Sequence, residues 1–165
     1  MLIYHPALDP YHSAFRMLHL LAHDPERQYD RRALRILDFY ALFQQLIPTI
    51  RLPKPLLKWR RQFSGRDNPY WFSGEPALVF ARMEPLQATA LDLLYAQGLV
   101  DPAKYPDGQV QLLPDQFRRV SPPEPALMSR DVLEFLVNHL GALPLHGPGG
   151  LKDRTHLLEY RYDDV

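Results

Sequence analysis

Apolar and polar positions alternate in blocks that predict a chain of short helices. Asp9-Pro10 reads as a helix N-cap followed by a first-turn proline, and the helix should run to about His23, before Asp24-Pro25. Tyr11, Ala14, Phe15, Leu18 and Ala22 follow helical spacing and mark its expected buried face. Asp30 caps a second helix, predicted from Arg31 to about Ile47 and stopped by Pro48. Its apolar residues cover most of the circumference, leaving Arg31, Arg35, Asp38 and Gln45 as a narrow polar strip. Such a helix is central, or lends one face to a partner.

Prolines punctuate the middle of the chain. A short helix is predicted from Pro55 to Phe63, then a loop over 64–74. Gly74-Glu75-Pro76 opens a helix to about Met83, and Glu84-Pro85 opens another that ends at Gly98, in the glycine position after a helix C-terminus. Residues 99–101 and 109–113 read as strands around the turn Pro106-Asp107-Gly108. Residues 114–126 hold four prolines and predict an extended connector. Ser129 caps a helix to Leu140, 146–150 is a loop, and Thr155 to Tyr162 alternates like a strand.

Residues 76–113 contain the parts of a winged helix-turn-helix: a short helix, a tight link, a longer helix, Gly98-Leu99-Val100, a polar hairpin and a return strand. The expected fold is therefore mainly α: one winged-helix-like domain over 1–165, with additional N- and C-terminal helices and a short C-terminal strand. A DNA-reading third helix needs donors for phosphates and base edges. Residues 84–97 contain no Lys or Arg, and the hairpin sets Lys104 against Asp101 and Asp107. This module suits protein docking better than DNA readout.

Charge sharpens that picture. The totals balance at 19 and 19. Residues 1–66, however, carry 11 Lys/Arg against 5 Asp/Glu, and residues 67–165 carry 8 against 14. The asymmetry implies two partner surfaces, or two halves that neutralise one another by packing. Its densest stretch is 51–66, where Arg51, Lys54, Lys58, Arg60, Arg61 and Arg66 occur without an acid, and Trp59 and Phe63 are interleaved. That composition suits a phosphate backbone with base stacking, an acidic protein partner, or a solvated helix whose aromatics point inward.

Catalytic signatures are missing. The chain has no cysteine, which excludes disulfides and thiolate chemistry. No phosphate-binding Gly-x4-Gly-Lys-Ser/Thr and no Gly-x-Ser-x-Gly elbow occur, and Gly147-Pro148-Gly149-Gly150 lacks the required Lys-Ser/Thr. Pro114-Asp115 is followed by Glu124-Pro125-Ala126, without the lysine a metal-dependent nuclease needs. His12, His19 and His23 share an arc of the first helix but lack a third ligand at a recognisable spacing, so no metal is expected. The expectation is a protein that is not an enzyme and takes no cofactor. No apolar run reaches 18 residues, and the start lacks a basic segment and signal core. A cytoplasmic location is expected.

The strings Leu2-Ile3-Tyr4-His5-Pro6-Ala7-Leu8-Asp9-Pro10-Tyr11-His12, Phe15-Arg16, Arg35-Ile36-Leu37-Asp38-Phe39-Tyr40 and Leu157-Leu158-Glu159-Tyr160-Arg161-Tyr162 carry a resemblance over the whole length. The chain resembles the middle component of bacterial ABC-three-component conflict systems, which include Lamassu-type anti-phage defence. It departs from the pattern at Phe43-Gln44-Gln45, where a Phe-Pro break is expected. The resemblance implies a non-catalytic bridging subunit that binds an SMC-like ABC ATPase and an effector, often a nuclease, and couples DNA sensing by the ATPase to effector release. The alternative is a stand-alone winged-helix DNA-binding regulator using the 51–66 segment. Lys54, Lys58, Arg60, Arg61 and Arg66 are the candidate partner or nucleic-acid surface in either case.

Overall fold

A computed structural model describes residue 5 and residues 8–68, 74–125 and 128–159. Most of the 1–8 lead-in, part of the 64–74 loop, and Tyr160 to Tyr162 of the expected terminal strand lie outside the described residues. The elements are α1 (Pro10–His23), β1 (Tyr29–Asp30), α2 (Arg31–Leu42), α3 (Lys58–Phe63), α4 (Pro76–Ala96), β2 (Gln109–Val110), α5 (Pro114–Val120), α6 (Arg130–Leu133, continued as a π-helix over Glu134–Leu140) and α7 (Leu151–Thr155). Short 3₁₀ turns cover Gln44–Thr49, Lys54–Leu56 and Tyr105–Asp107. The protein is mainly helical.

Two of the three side-chain caps read from sequence are present; Ser129 stands at the start of its helix, but its hydroxyl donates to the Asp131 carboxylate and caps no amide. The Asp9 carboxylate accepts from the Tyr11 amide at 2.8 Å, and Asp30 accepts from the Arg32 amide at 2.8 Å. Each satisfies amides that the helix itself leaves without acceptors. Tyr11, expected inside, is 71% exposed, because the inward stripe begins at Ser13 and Ala14. α2 is central, with Ala33 to Leu42 all buried. It stops at Leu42, five residues earlier than predicted, and the Phe43 backbone N–H donates the closing hydrogen bond to the Phe39 carbonyl. The break thus falls at Phe43 without a proline. Phe43 is wholly buried and packs edge-on to Phe39.

The helix-turn-helix break expected before Pro85 is not there: α4 is one helix of 21 residues with Pro85 inside it. A mid-helix proline removes one hydrogen bond and costs roughly 3 kcal/mol. Pro85 sits on the exposed side, while Val79, Phe80, Met83, Gln87, Ala90, Leu91 and Leu94 form one unbroken buried stripe across it. Burying that stripe on α1 and α2 outweighs the lost bond. α4 ends as the glycine predicts. Gly98 has φ +68°, its amide bonds to Tyr95, and the Leu99 amide bonds to Leu94. This double closure is a Schellman motif, sealed by buried Leu94 and Leu99.

The return strand is divided between two partners. Val100 bridges Leu112 antiparallel, as expected of a wing, and the Asp101 and Leu113 amides bond to Gln111 and Leu99. β2 pairs instead with β1, setting Tyr29 opposite Val110. The extended connector expected over 114–126 is helical from Pro114 to Val120, since Pro114 takes the first helical turn, where its missing N–H costs nothing. The expected strand from Thr155 is not formed in the described part: Thr155 closes α7, and 156–159 is irregular.

The polar strip of α2 turns inward. Asp38, with no exposure, accepts from Ser13 Oγ at 2.7 Å, Arg16 Nε at 2.7 Å and Gln87 Nε2 at 2.9 Å. Gln87 also donates to the Arg35 carbonyl at 3.0 Å and accepts from Arg35 Nε at 2.9 Å. One network therefore ties α1, α2 and α4 together. Asp38→Asn leaves Arg16 buried without its counter-charge and should cost about 3–5 kcal/mol in urea denaturation, whereas the double change Arg16→Met/Asp38→Leu should recover much of that loss. Gly98→Val should cost roughly 1–2 kcal/mol from left-handed backbone strain alone, since a Cβ at Gly98 meets nothing within 4 Å.

Candidate partner-docking surface

The 51–66 segment folds so that its aromatics and its charges part company. Trp59 and Phe63 lie four apart on α3 and both are buried. Trp59 stacks on Phe63 at 6.0 Å between centroids, and both rings pack against Phe135 of α6 at 5.4 Å. They are core residues, so stacking of bases on them is ruled out. The opposite side of the segment presents Arg51, Lys54, Lys58, Arg60 and Arg61 to solvent, with Leu57 42% exposed among them.

The candidate cations have different duties. Arg66 is structural: it bonds Gln44 at 2.7 Å and Asp131 at 2.5 Å, and lies over the Phe63 ring at 4.3 Å. Arg60 donates to the Ile50 carbonyl at 3.0 Å, and Arg51 reaches Asp153 at 3.7 Å. Lys58 rests its ammonium 5.7 Å from the Trp59 ring. Among the described residues, Lys54, Lys58 and Arg61 make no ion pair and form the available part of the patch.

Internal pairing cancels some of the charge asymmetry. Arg35–Glu84, Arg51–Asp153 and Arg66–Asp131 each join a cation of the first 66 residues to an acid of the rest. Burial alone would push Asp131 up. Hydrogen bonds from Ser129, Arg66 and Gln62, with the Arg66 charge, outweigh it and hold the carboxyl below its ordinary value.

The histidines diverge. His12 is exposed. His19 stacks edge-on between Phe15 at 4.6 Å and Phe117 at 6.2 Å, and burial pulls its pKa down. His23 faces Glu134 at 3.9 Å. Among the described residues no three His, Cys, Asp or Glu side chains gather into a ligand set. No described helix is long and apolar enough to cross a membrane.

Sequence reasoning missed the burial of Arg35 and Asp38. Their helical spacing from each other was visible, but their acceptors and donors on α1 and α4 were not.

A lowered folded-state pKa at Asp131 adds stability that is fully present above its unfolded value near about 4 and is lost as pH falls through the folded value. Asp131→Asn should therefore flatten the fall in melting temperature between pH 5 and pH 2, modestly, because the pair is partly exposed and screened. An unchanged slope would contradict the role given to this pair.

Comparison with known families places the chain. The model of the ABC-three component (ABC-3C) system Middle Component 5 family matches residues 2–163. Searches of curated proteins and of solved structures found no match.

Proposed function

The chain belongs to this family of middle components, and we propose that it is a non-catalytic bridging subunit, joining an SMC-like ABC ATPase to an effector nuclease in defence against phage or plasmids. The observation that carries the reading is the outward basic patch of Lys54, Lys58 and Arg61, carried by a 3₁₀ turn and the short helix after it, whose other side is locked into the core. A surface so mounted can bind without refolding. Its cations suit an acidic face on one partner.

The acidic half offers a second surface. α4 and the segment after it, through residue 113, expose Glu84, Asp92 and Asp107. We read 76–113 as the docking module for the other partner, in which helix, Gly98, Leu99-Val100 and return strand keep a wing-like form without a DNA-reading helix. DNA is then reached through the complex. The regulator alternative loses its stacking residues to the core, and retains only the cations.

Charge reversal tests this directly. Arg60 supports Ile50, so Lys58→Glu/Arg61→Glu is the cleaner pair. The double variant should melt like the parent and lose affinity for one component while keeping the other. The loss should exceed the contribution of one exposed charge, on the order of 1 kcal/mol. Measured against salt, the parent's association should show a shallow slope. A slope equivalent to several released counterions on binding DNA would favour the regulator instead. Unchanged association with both components would refute the patch's role.

A further inference from the structure

A second charged feature lies apart from the basic patch. α2 and α4 border a cleft of about 440 Å³ lined by Arg31, Arg32, Arg35, Glu84, Leu91 and Leu158, among others. Arg31 and Arg35 are four apart on α2 and share one face. Arg32 is committed, since its Nε and Nη2 bond the two Asp30 oxygens at 3.0 and 2.9 Å.

The other two are under-served. Arg35 is 6% exposed, yet its Nη2 finds no acceptor among the described residues. Its Nη1 has one long contact, 3.8 Å, to Glu84, whose side chain is 64% exposed. Arg31 gives Nη2 to the Tyr105 carbonyl at 2.9 Å and lies over that ring, while its buried Nε has no acceptor among the described residues. Burial pulls the Arg35 pKa down, with Glu84 and Asp38 opposing. Two guanidinium groups with buried, unused donors on one cleft wall call for an anion.

We propose that this cleft receives the carboxylate of a Glu or Asp side chain from a protein partner, seated on Arg35 and Arg31. Two observations favour that occupant over a phosphate backbone. Glu84 and Asp92 stand in the lining and repel a polyanion, and Asp92 is held there by the Tyr105 hydroxyl at 2.6 Å. Ala88, Leu91 and Leu158 supply an apolar wall for the methylene stem. The incoming carboxylate displaces Glu84, and Arg35 turns toward the cleft to meet it. The inference rests on the reading of the chain as a docking subunit and adds the chemistry of one contact.

The test uses the full chain and three probes: the peptide acetyl-Leu-Glu-Leu-amide, its Gln counterpart, and inorganic phosphate. The Glu peptide should shift the side-chain Nε–Hε NMR signals of Arg31 and Arg35 saturably and bind about tenfold tighter than the Gln peptide. Arg31→Gln should abolish that preference. Arg35 also supports Gln87, so a second variant on exposed α4 surface guards against a folding artefact. Ala88→Glu supplies an internal carboxylate; it should weaken the peptide and raise the melting temperature by about 2–4 °C. Equal binding of the two peptides, or phosphate binding tighter than the Glu peptide, overturns the proposal. If the components assemble but the Glu peptide does not bind, this inference fails and the docking reading stands. If no component associates with the chain, the docking reading fails and takes this inference with it.

Discussion

Asp38 is the constraint on which the rest of the chain depends. A carboxylate with no exposure must have its lone pairs filled by the protein. Ser13, Arg16 and Gln87 fill them from two other helices. Sliding α4 by one turn would take Gln87 away from both Asp38 and the Arg35 backbone. Rotating α1 would take Ser13 and Arg16. Hydrophobic burial supplies the drive to pack, but apolar contacts alone would tolerate several registers. The polar network specifies one of them.

That register sets what the surface can offer. With α1, α2 and α4 fixed, α6 closes the core through Phe135 and Leu136, both wholly buried. Gly141 lets α6 end against α2: a Cβ there would lie 2.8 Å from the Leu136 carbonyl and 3.1 Å from Leu37. Phe135 gives α3 its seat, and Arg66 latches the segment to Asp131. The cations of α3 are left facing outward on a helix anchored in the core by Trp59 and Phe63. The same packing draws Arg35 into the interior beside a cleft, where its charge is only partly answered.

Signals that act within a few residues were legible in the sequence. Asp9-Pro10, Asp30 and Gly98 each act through a cap or a left-handed backbone, and each sits where it was expected. The predominance of helix and the central place of α2 were legible too, as was the antiparallel return at Val100 and Leu112. The failures involve distant partners. Pro85 reads as a break until the stripe on either side of it is seen to continue. The prolines of 114–126 read as a connector, although Pro114 starts a helix. Arg35 and Asp38 read only as part of a narrow polar strip because their partners lie 22 to 52 residues away. At the candidate surface, the cations were legible, but the inward turn of Trp59 and Phe63 required the position of Phe135.

We infer that the core of α1, α2 and α4 presents the 51–61 patch to a partner without changing shape. Hydrogen exchange of the chain alone and of the chain assembled with its companion components measures this most directly. Residues 51–61 should gain protection on assembly, while slow exchange in α1, α2 and α4 should stay unchanged. Equal exchange over 51–61 in both states, or a core whose protection rises throughout on assembly, would overturn this mode of docking.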